Sequence, residues 1–230
     1  MKKFGISSVL AVSAICFLSW LSPLKAYADS VTMTFTGVGP QDNNSGGVYT
    51  YPYDFTVTPT TGPSENLSLM CISFNQEIYL QTPNEQWTAT VVTAGSLGAT
   101  YEEEAYLYTQ AVANVNNNTI SGAANWADWA LGDSTTLTGQ ESFLESYISG
   151  TELSDAENYL TMLSTVDLAD YADYLVYVPV NGSELPLSDG LPQTFVGGPS
   201  PTPEPSSLIL LGSGLLAAAG ALYRRKRRTA

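Results

Sequence analysis

The sequence predicts an α+β fold, in which a small antiparallel β sheet or sandwich carries a helical insert and apolar helices stand at the two chain ends. Three observations carry that expectation. Residues 29–95 run in short segments rich in Thr, Val, Tyr and Phe, separated by Gly/Pro/Asn clusters. From Thr100 the texture becomes helical, with hydroxyl and carboxylate residues three apart. Residues 173–180 (DYLVYVPV) then return to strand texture.

The elements follow in chain order. Residues 1–28 have the three parts of a secretory signal: Lys2 and Lys3, an apolar run over 9–21, and the small residues Ala26 and Ala28 at the positions a signal peptidase reads. Cleavage is expected before Asp29. The apolar run is too short for an uncleaved anchor, and Ile15 before Cys16 is not the small residue that lipidation signals place there. Strands are expected over 31–35, 46–58, 67–74 and 87–92, divided by the turn-forming stretches PQDNNSGG, TPTTGPSEN and QTPNEQ. A closed barrel is the other arrangement such spacing allows.

Capping boxes are expected at Thr100 with Glu103, Thr138 with Glu141, and Ser154 with Glu157. Ala105, Tyr108, Ala111, Val112 and Val115 recur at helical spacing, and 124–131 (ANWADWAL) is a second, short apolar helix. The exported body is therefore one domain over 29–196. Residues 197–207 (GGPSPTPEPSS) read as an extended linker. Residues 208–223 form a transmembrane helix, with a basic cytoplasmic tail over 224–230. Its roughly 15–17 apolar residues are fewer than the roughly 20 of a typical span. The abrupt cluster Arg224, Arg225, Lys226, Arg227 and Arg228 supports insertion with the tail inside.

Charge is sharply segregated. The net charge of −14 arises from 8 basic and 22 acidic residues, but every basic residue precedes Ala26 or follows Tyr223. All acidic residues lie between Asp29 and Glu204, and the chain has no histidine. Nucleic-acid binding is excluded for such a body, because nothing in it can neutralise phosphate. A Ser-His or Cys-His pair and a Schiff-base lysine are excluded too. Self-repulsion raises carboxylate pKa values, so greater stability is expected near pH 4–5 than at pH 7, unless Ca²⁺ screens the charge.

The far end has a specific likeness. Pro203-Glu204-Pro205, then LILLGSGLLAAAGALY, then RRKRR resembles the PEP-CTERM sorting signal of Gram-negative bacteria. That resemblance implies recognition by exosortase, a membrane cysteine protease thought to act as a transpeptidase. It also implies transient anchoring in the inner membrane, and delivery to the surface or extracellular matrix of cells that make extracellular polysaccharide. Pro203, Glu204 and Pro205 would then be read by another enzyme and would not be catalytic. The body resembles exported PEP-CTERM proteins with similar "EAYLY" and "NWA.WAL" segments, a likeness that brings no activity with it.

A second likeness concerns Cys71. The order of an apolar-flanked Cys (LMCI), a Tyr-rich helix (EAYLYTQ), then an amide four residues before a Trp resembles the thioester domains of bacterial surface adhesins. Cys71 would be the sulfur donor and Trp129 the packing tryptophan. Asn125 stands where those domains have Gln; its tether is one methylene shorter. Gln110 is another amide, without the Trp spacing. With Cys16 in the signal, Cys71 is the body's lone cysteine, so no internal disulfide forms, and a small buried thiol is the simpler reading.

Among the acids, Glu102, Glu103 and Glu104 are consecutive and fan around a helix, whereas Asp167, Asp170 and Asp173 lie three apart on one face. Such a row could collect a hard cation such as Ca²⁺, but the EF-hand spacing is missing and solvated surface charge is the simpler reading. No carboxylate pair is marked out for glycoside hydrolysis. The expectation is a non-enzymatic surface or matrix protein without a cofactor, its tyrosines available to stack on sugars. A covalent adhesin is the alternative, and a carboxylate-dependent hydrolase ranks last.

Overall fold

The computed structural model describes residues 29–39, 44–76, 85–181 and 192–199. The signal segment, the Pro-Glu-Pro motif, the expected span over 208–223 and the basic tail lie outside them. Among the described residues no helix is long and apolar enough to cross a membrane.

Six strands close a barrel: β1 (Asp29–Val38), β4 (Tyr53–Pro59), β5 (Glu65–Cys71), β8 (Phe195–Pro199), β7 (Tyr174–Pro179) and β6 (Gln86–Thr93), in that order around it. The pairs β1–β4, β4–β5, β1–β6, β6–β7 and β5–β8 are antiparallel. Closure leaves the sheet without free edges. Alternation drives the register: Val31, Met33 and Phe35 on β1, and Tyr53, Phe55 and Val57 on β4, are buried while their neighbours are more exposed. Inside, the Phe55 ring lies 5.6 Å from Trp87 and 4.7 Å from Phe195, with Tyr53 5.6 Å from Phe195. Each such ring stabilises the fold by about 1.5–3 kcal/mol through burial.

A two-stranded hairpin, β2 (Asn44–Ser45) and β3 (Val48–Tyr49), turns through Gly46 and Gly47 at φ +57° and +84°. A Cβ on Gly46 would lie 2.6 Å from the Trp126 ring, so glycine is needed there for contact as well as for backbone.

Between β6 and β7 comes the helical insert that the sequence indicates. It comprises α1 (Ala94–Leu97), α2 (Ala99–Ala113), α3 (Asn118–Asp133), α4 (Leu137–Tyr147) and α5 (Gly150–Leu163), then a short 3₁₀ turn (Leu168–Tyr171). Helix α3 is the central one, packing against α2, α4 and α5. Every residue from Ser121 to Ala130 is buried, because this helix is covered all round.

Three differences from the sequence expectations have physical causes. The expected capping boxes do not form. The residues preceding α2, α4 and α5 are Gly98, Thr136 and Ser149, and Ser154 Oγ donates to the Gly150 carbonyl from inside α5. A hydroxyl three residues before a carboxylate fits several helix registers, and in α4 the Thr136 hydroxyl takes the Gly139 N–H. Asp167, expected on a helix face with Asp170 and Asp173, instead caps the 3₁₀ turn, and Asp173 lies beyond it.

The third difference is β8. Residues 197–199 were expected in the linker, yet they belong to the strand that closes the barrel. Gly197 passes so close to its neighbours that a Cβ would sit 2.7 Å from Leu69 Cδ2 and 3.2 Å from Tyr177 Cε2. Glycine here marks close strand approach.

Candidate functional site

Strand β5 ends at Leu69-Met70-Cys71, three consecutive buried residues, so it is covered on both faces. Helix α3 is fastened to this end by side chains one turn apart. Asn125 Nδ2 donates to the Cys71 carbonyl at 2.8 Å, and Trp129 Nε1 donates to the same oxygen at 2.9 Å. The Asn125 Oδ1 accepts the Tyr51 N–H at 2.9 Å. One buried amide thereby satisfies main-chain groups on both sides of it, where an unmet partner would cost about 1–3 kcal/mol.

The structure thus brings Cys71, Asn125 and Trp129 together, as the sequence order suggested. Their chemistry is different from what the thioester likeness implies. The amide contacts the main chain of Cys71 and not its sulfur. The Sγ instead lies 3.5 Å from the Ser73 N–H and 3.7 Å from the Ser73 carbonyl. Burial pushes the thiol up to about 12 despite the Ser73 N–H, so it is protonated and a poor nucleophile at neutral pH. Gln110 lies on α2, where its Nε2 donates to Thr109 Oγ1 at 3.3 Å.

Two acids that the sequence did not mark as buried sit nearby. Glu104 on α2 is 5 % exposed and Asp128 on α3 is fully buried. Glu104 Oε2 and both Asp128 oxygens have no hydrogen-bond partner. Burial, then the Glu103 charge, raises Glu104 to about 8. Burial, then Glu104, holds Asp128 well above the usual carboxylate range. With no cation anywhere between residues 29 and 199, nothing offsets these costs. Asp128 carried one readable signal: it is the one charged residue in the mostly apolar run from Ser121 to Ala130.

A solvent-facing cleft of about 210 Å³ lies beside the end of β5. Phe74, Trp129 and Phe143 supply its aromatic wall, and Asn75, Gln76 and Asp133 its polar one. The Phe74 ring is held among Trp126 (5.6 Å), Trp129 (5.1 Å), Phe143 (5.2 Å) and Tyr147 (5.0 Å). The segment carrying it is pinned to the approach to β8: Ile72 N–H donates to Thr194 O at 3.0 Å, and Thr194 N–H to Ser73 Oγ at 3.1 Å. Gln193 Nε2 also donates to the Gln76 carbonyl. Gly132, near the end of α3, lines the cleft with open space where a side chain would be.

Asp133 is the one acid among the lining residues, whereas glycoside hydrolysis takes two. Among the described residues no three of Cys, Asp and Glu gather in an arrangement that could hold a metal, and Asp167, Asp170 and Asp173 form no such site. Asp29 opens β1 and pairs with Val91, so a cut before it leaves that strand whole. Ala26, Ala28, the Pro203-Glu204-Pro205 motif and the five basic residues after Tyr223 lie outside the described residues.

A family model described as the PEP-CTERM protein-sorting motif matches residues 201–228. The chain therefore carries the sorting signal of an exported protein, with exosortase as the partner that signal implies. Comparison with curated proteins finds no match.

Proposed function

We propose that this chain is the precursor of a cell-surface or extracellular-matrix protein whose folded body is a non-enzymatic module associating with extracellular polysaccharide. The observation that carries it is the join between body and tag. Strand β8 completes the barrel at Pro199, and the sorting motif begins two residues later at 201. A finished fold coupled directly to an export signal is the layout of a delivered cargo. In this reading a signal peptidase cuts before Asp29, the segment 208–223 anchors the precursor in the inner membrane with its basic tail inside, and exosortase reads Pro203-Glu204-Pro205.

The non-enzymatic part rests on chemistry. The body has no His, Lys or Arg, its cysteine is a buried thiol, and its carboxyls Glu104 and Asp128 are sealed in the core. The covalent-adhesin alternative gains nothing from an amide already committed to Tyr51 and Cys71. A resident cofactor is not needed for this role, and Ca²⁺ would serve only to screen the acidic surface.

The test is made in a strain that makes both exosortase and matrix polysaccharide. Replacing Pro203-Glu204-Pro205 with alanines should leave uncut precursor in the membrane fraction. The wild-type product should appear at the surface and be retained on purified matrix polysaccharide above a charge-matched control protein. Equal surface delivery of the alanine variant would overturn the sorting part, and no retention would overturn the polysaccharide part.

A further inference from the structure

We propose that the cleft beside Phe74 is a binding subsite for one uncharged sugar ring of a glycan. This rests on the polysaccharide reading above and deepens it by naming the site and the class of sugar.

Size sets the first limit. Pockets that enclose a drug-sized ligand run to roughly 300–1,000 Å³. A cleft of about 210 Å³ holds a single ring, and a longer glycan must run across its mouth. The walls set the second. The ring of Phe74 is partly exposed and locked among four other aromatic rings, so it offers a rigid apolar face to the C–H side of a pyranose. Opposite chemistry is within the same lining: Asn75 and Gln76 carry amides that both donate and accept, and Asp133 accepts hydroxyl protons.

Charge sets the third limit and gives the selectivity. A uronate or sulfated sugar would bring an anion beside Asp133, in a body that has no Lys, Arg or His to receive it. The site therefore takes neutral or N-acylated sugars and rejects their acidic counterparts. Gly132 keeps the space open, since its missing side chain faces nothing within 4 Å. A large side chain there would begin in open space and fill the cleft.

The experiment uses the full chain in a zwitterionic detergent with no sugar headgroup. Methyl glycosides of glucose, galactose and N-acetylglucosamine are titrated against methyl glucuronide, reading tryptophan fluorescence and saturation-transfer NMR. At least one neutral glycoside should bind saturably, with a Kd on the order of millimolar as befits one small ring, and the glucuronide should not. Gly132→Trp should weaken that binding at least tenfold with an unchanged melting temperature, and Asn75→Ala should weaken it several-fold.

Glucuronide binding as well as the neutral sugars would overturn the proposal, as would full binding by Gly132→Trp. Retention on matrix polysaccharide separates it from the wider reading. If wild type and Gly132→Trp are retained equally, the cleft is not the site and polysaccharide association stands. If neither is retained and no glycoside binds, both readings fall.

Discussion

Asn125 donates its side-chain amide to the main-chain oxygen of Cys71 at 2.8 Å, bypassing the sulfur of the same residue. Because the other end of the amide accepts the Tyr51 N–H, the helical layer, the end of β5 and the segment leading into β4 meet at this one side chain. Asn125→Ala leaves buried polar groups unmet and should destabilise the protein by about 2–4 kcal/mol, a fall in Tm of roughly 5–15 °C. Trp129→Phe removes one of the two donors to the Cys71 oxygen and should show the smaller hydrogen-bond loss. Thermal melts followed by near-UV circular dichroism check both.

Cys71 should be inert in the folded protein. Its thiol is buried and raised to about 12, so iodoacetamide at pH 8 should label it only after denaturation. The intact mass should be that of the unmodified chain; a closed thioester would make it about 17 Da lighter through loss of ammonia. Either native labelling or the lighter mass would show that the amide and sulfur can meet.

Stability should fall as pH rises. Glu104 goes from an ordinary value of 4.5 to about 8 in the fold, and Asp128 shifts in the same direction. A raised folded value means that the contribution is complete below the ordinary carboxylate range and is lost as pH climbs through about 8. The groups that bear on the pair are Glu103, Tyr101 and Cys71, none of them cationic. Tm should drop by roughly 5 °C or more between pH 5 and pH 9. Glu104→Gln should flatten that slope and raise Tm at pH 8; an unchanged slope would place the sensitivity elsewhere.

Phe195 should matter more than its position near the tag suggests. It is fully buried and meets Tyr53, Phe55 and Trp87 inside the barrel. Phe195→Ala should cost about 3–5 kcal/mol, measured by urea unfolding. Removing residues from 195 onward should leave the barrel open and the body unfolded.

Much of this architecture could be read from the chain. The Thr-, Val- and Tyr-rich segments before residue 95 indicated strands, and the change of texture near Thr100 marked the helical insert between β6 and β7. Pro203-Glu204-Pro205 with its apolar and basic sequel identified the sorting signal, because that pattern is local and needs no fold. Closure into a barrel was harder, since Gly197, Gly198 and Pro199 have linker composition and reveal their strand only through contact with Leu69 and Tyr177. Asn125 and Trp129 were singled out, but the atoms they would touch on Cys71 depend on how α3 crosses β5. Glu104 hid within three consecutive glutamates, where only packing decides which one turns inward. The cleft is assembled from the segment after β5, from α3 and from α4, so no single window of sequence contains it.

The place of β8 in the barrel has a consequence for how the molecule comes into being. Ribosomes deliver the chain from its first residue, so β5 exists long before Val196 and Phe195, its partners for Met70 and Cys71. Until then that side of the sheet is an open edge, able to pair with another nascent chain. Long-range closure of this kind is slow relative to local helix formation. The last piece to arrive is the stretch just ahead of the sorting tag. Completion of the body thereby waits on the residues just ahead of the sorting motif, and a chain that stalls short of residue 195 has no route to a closed fold.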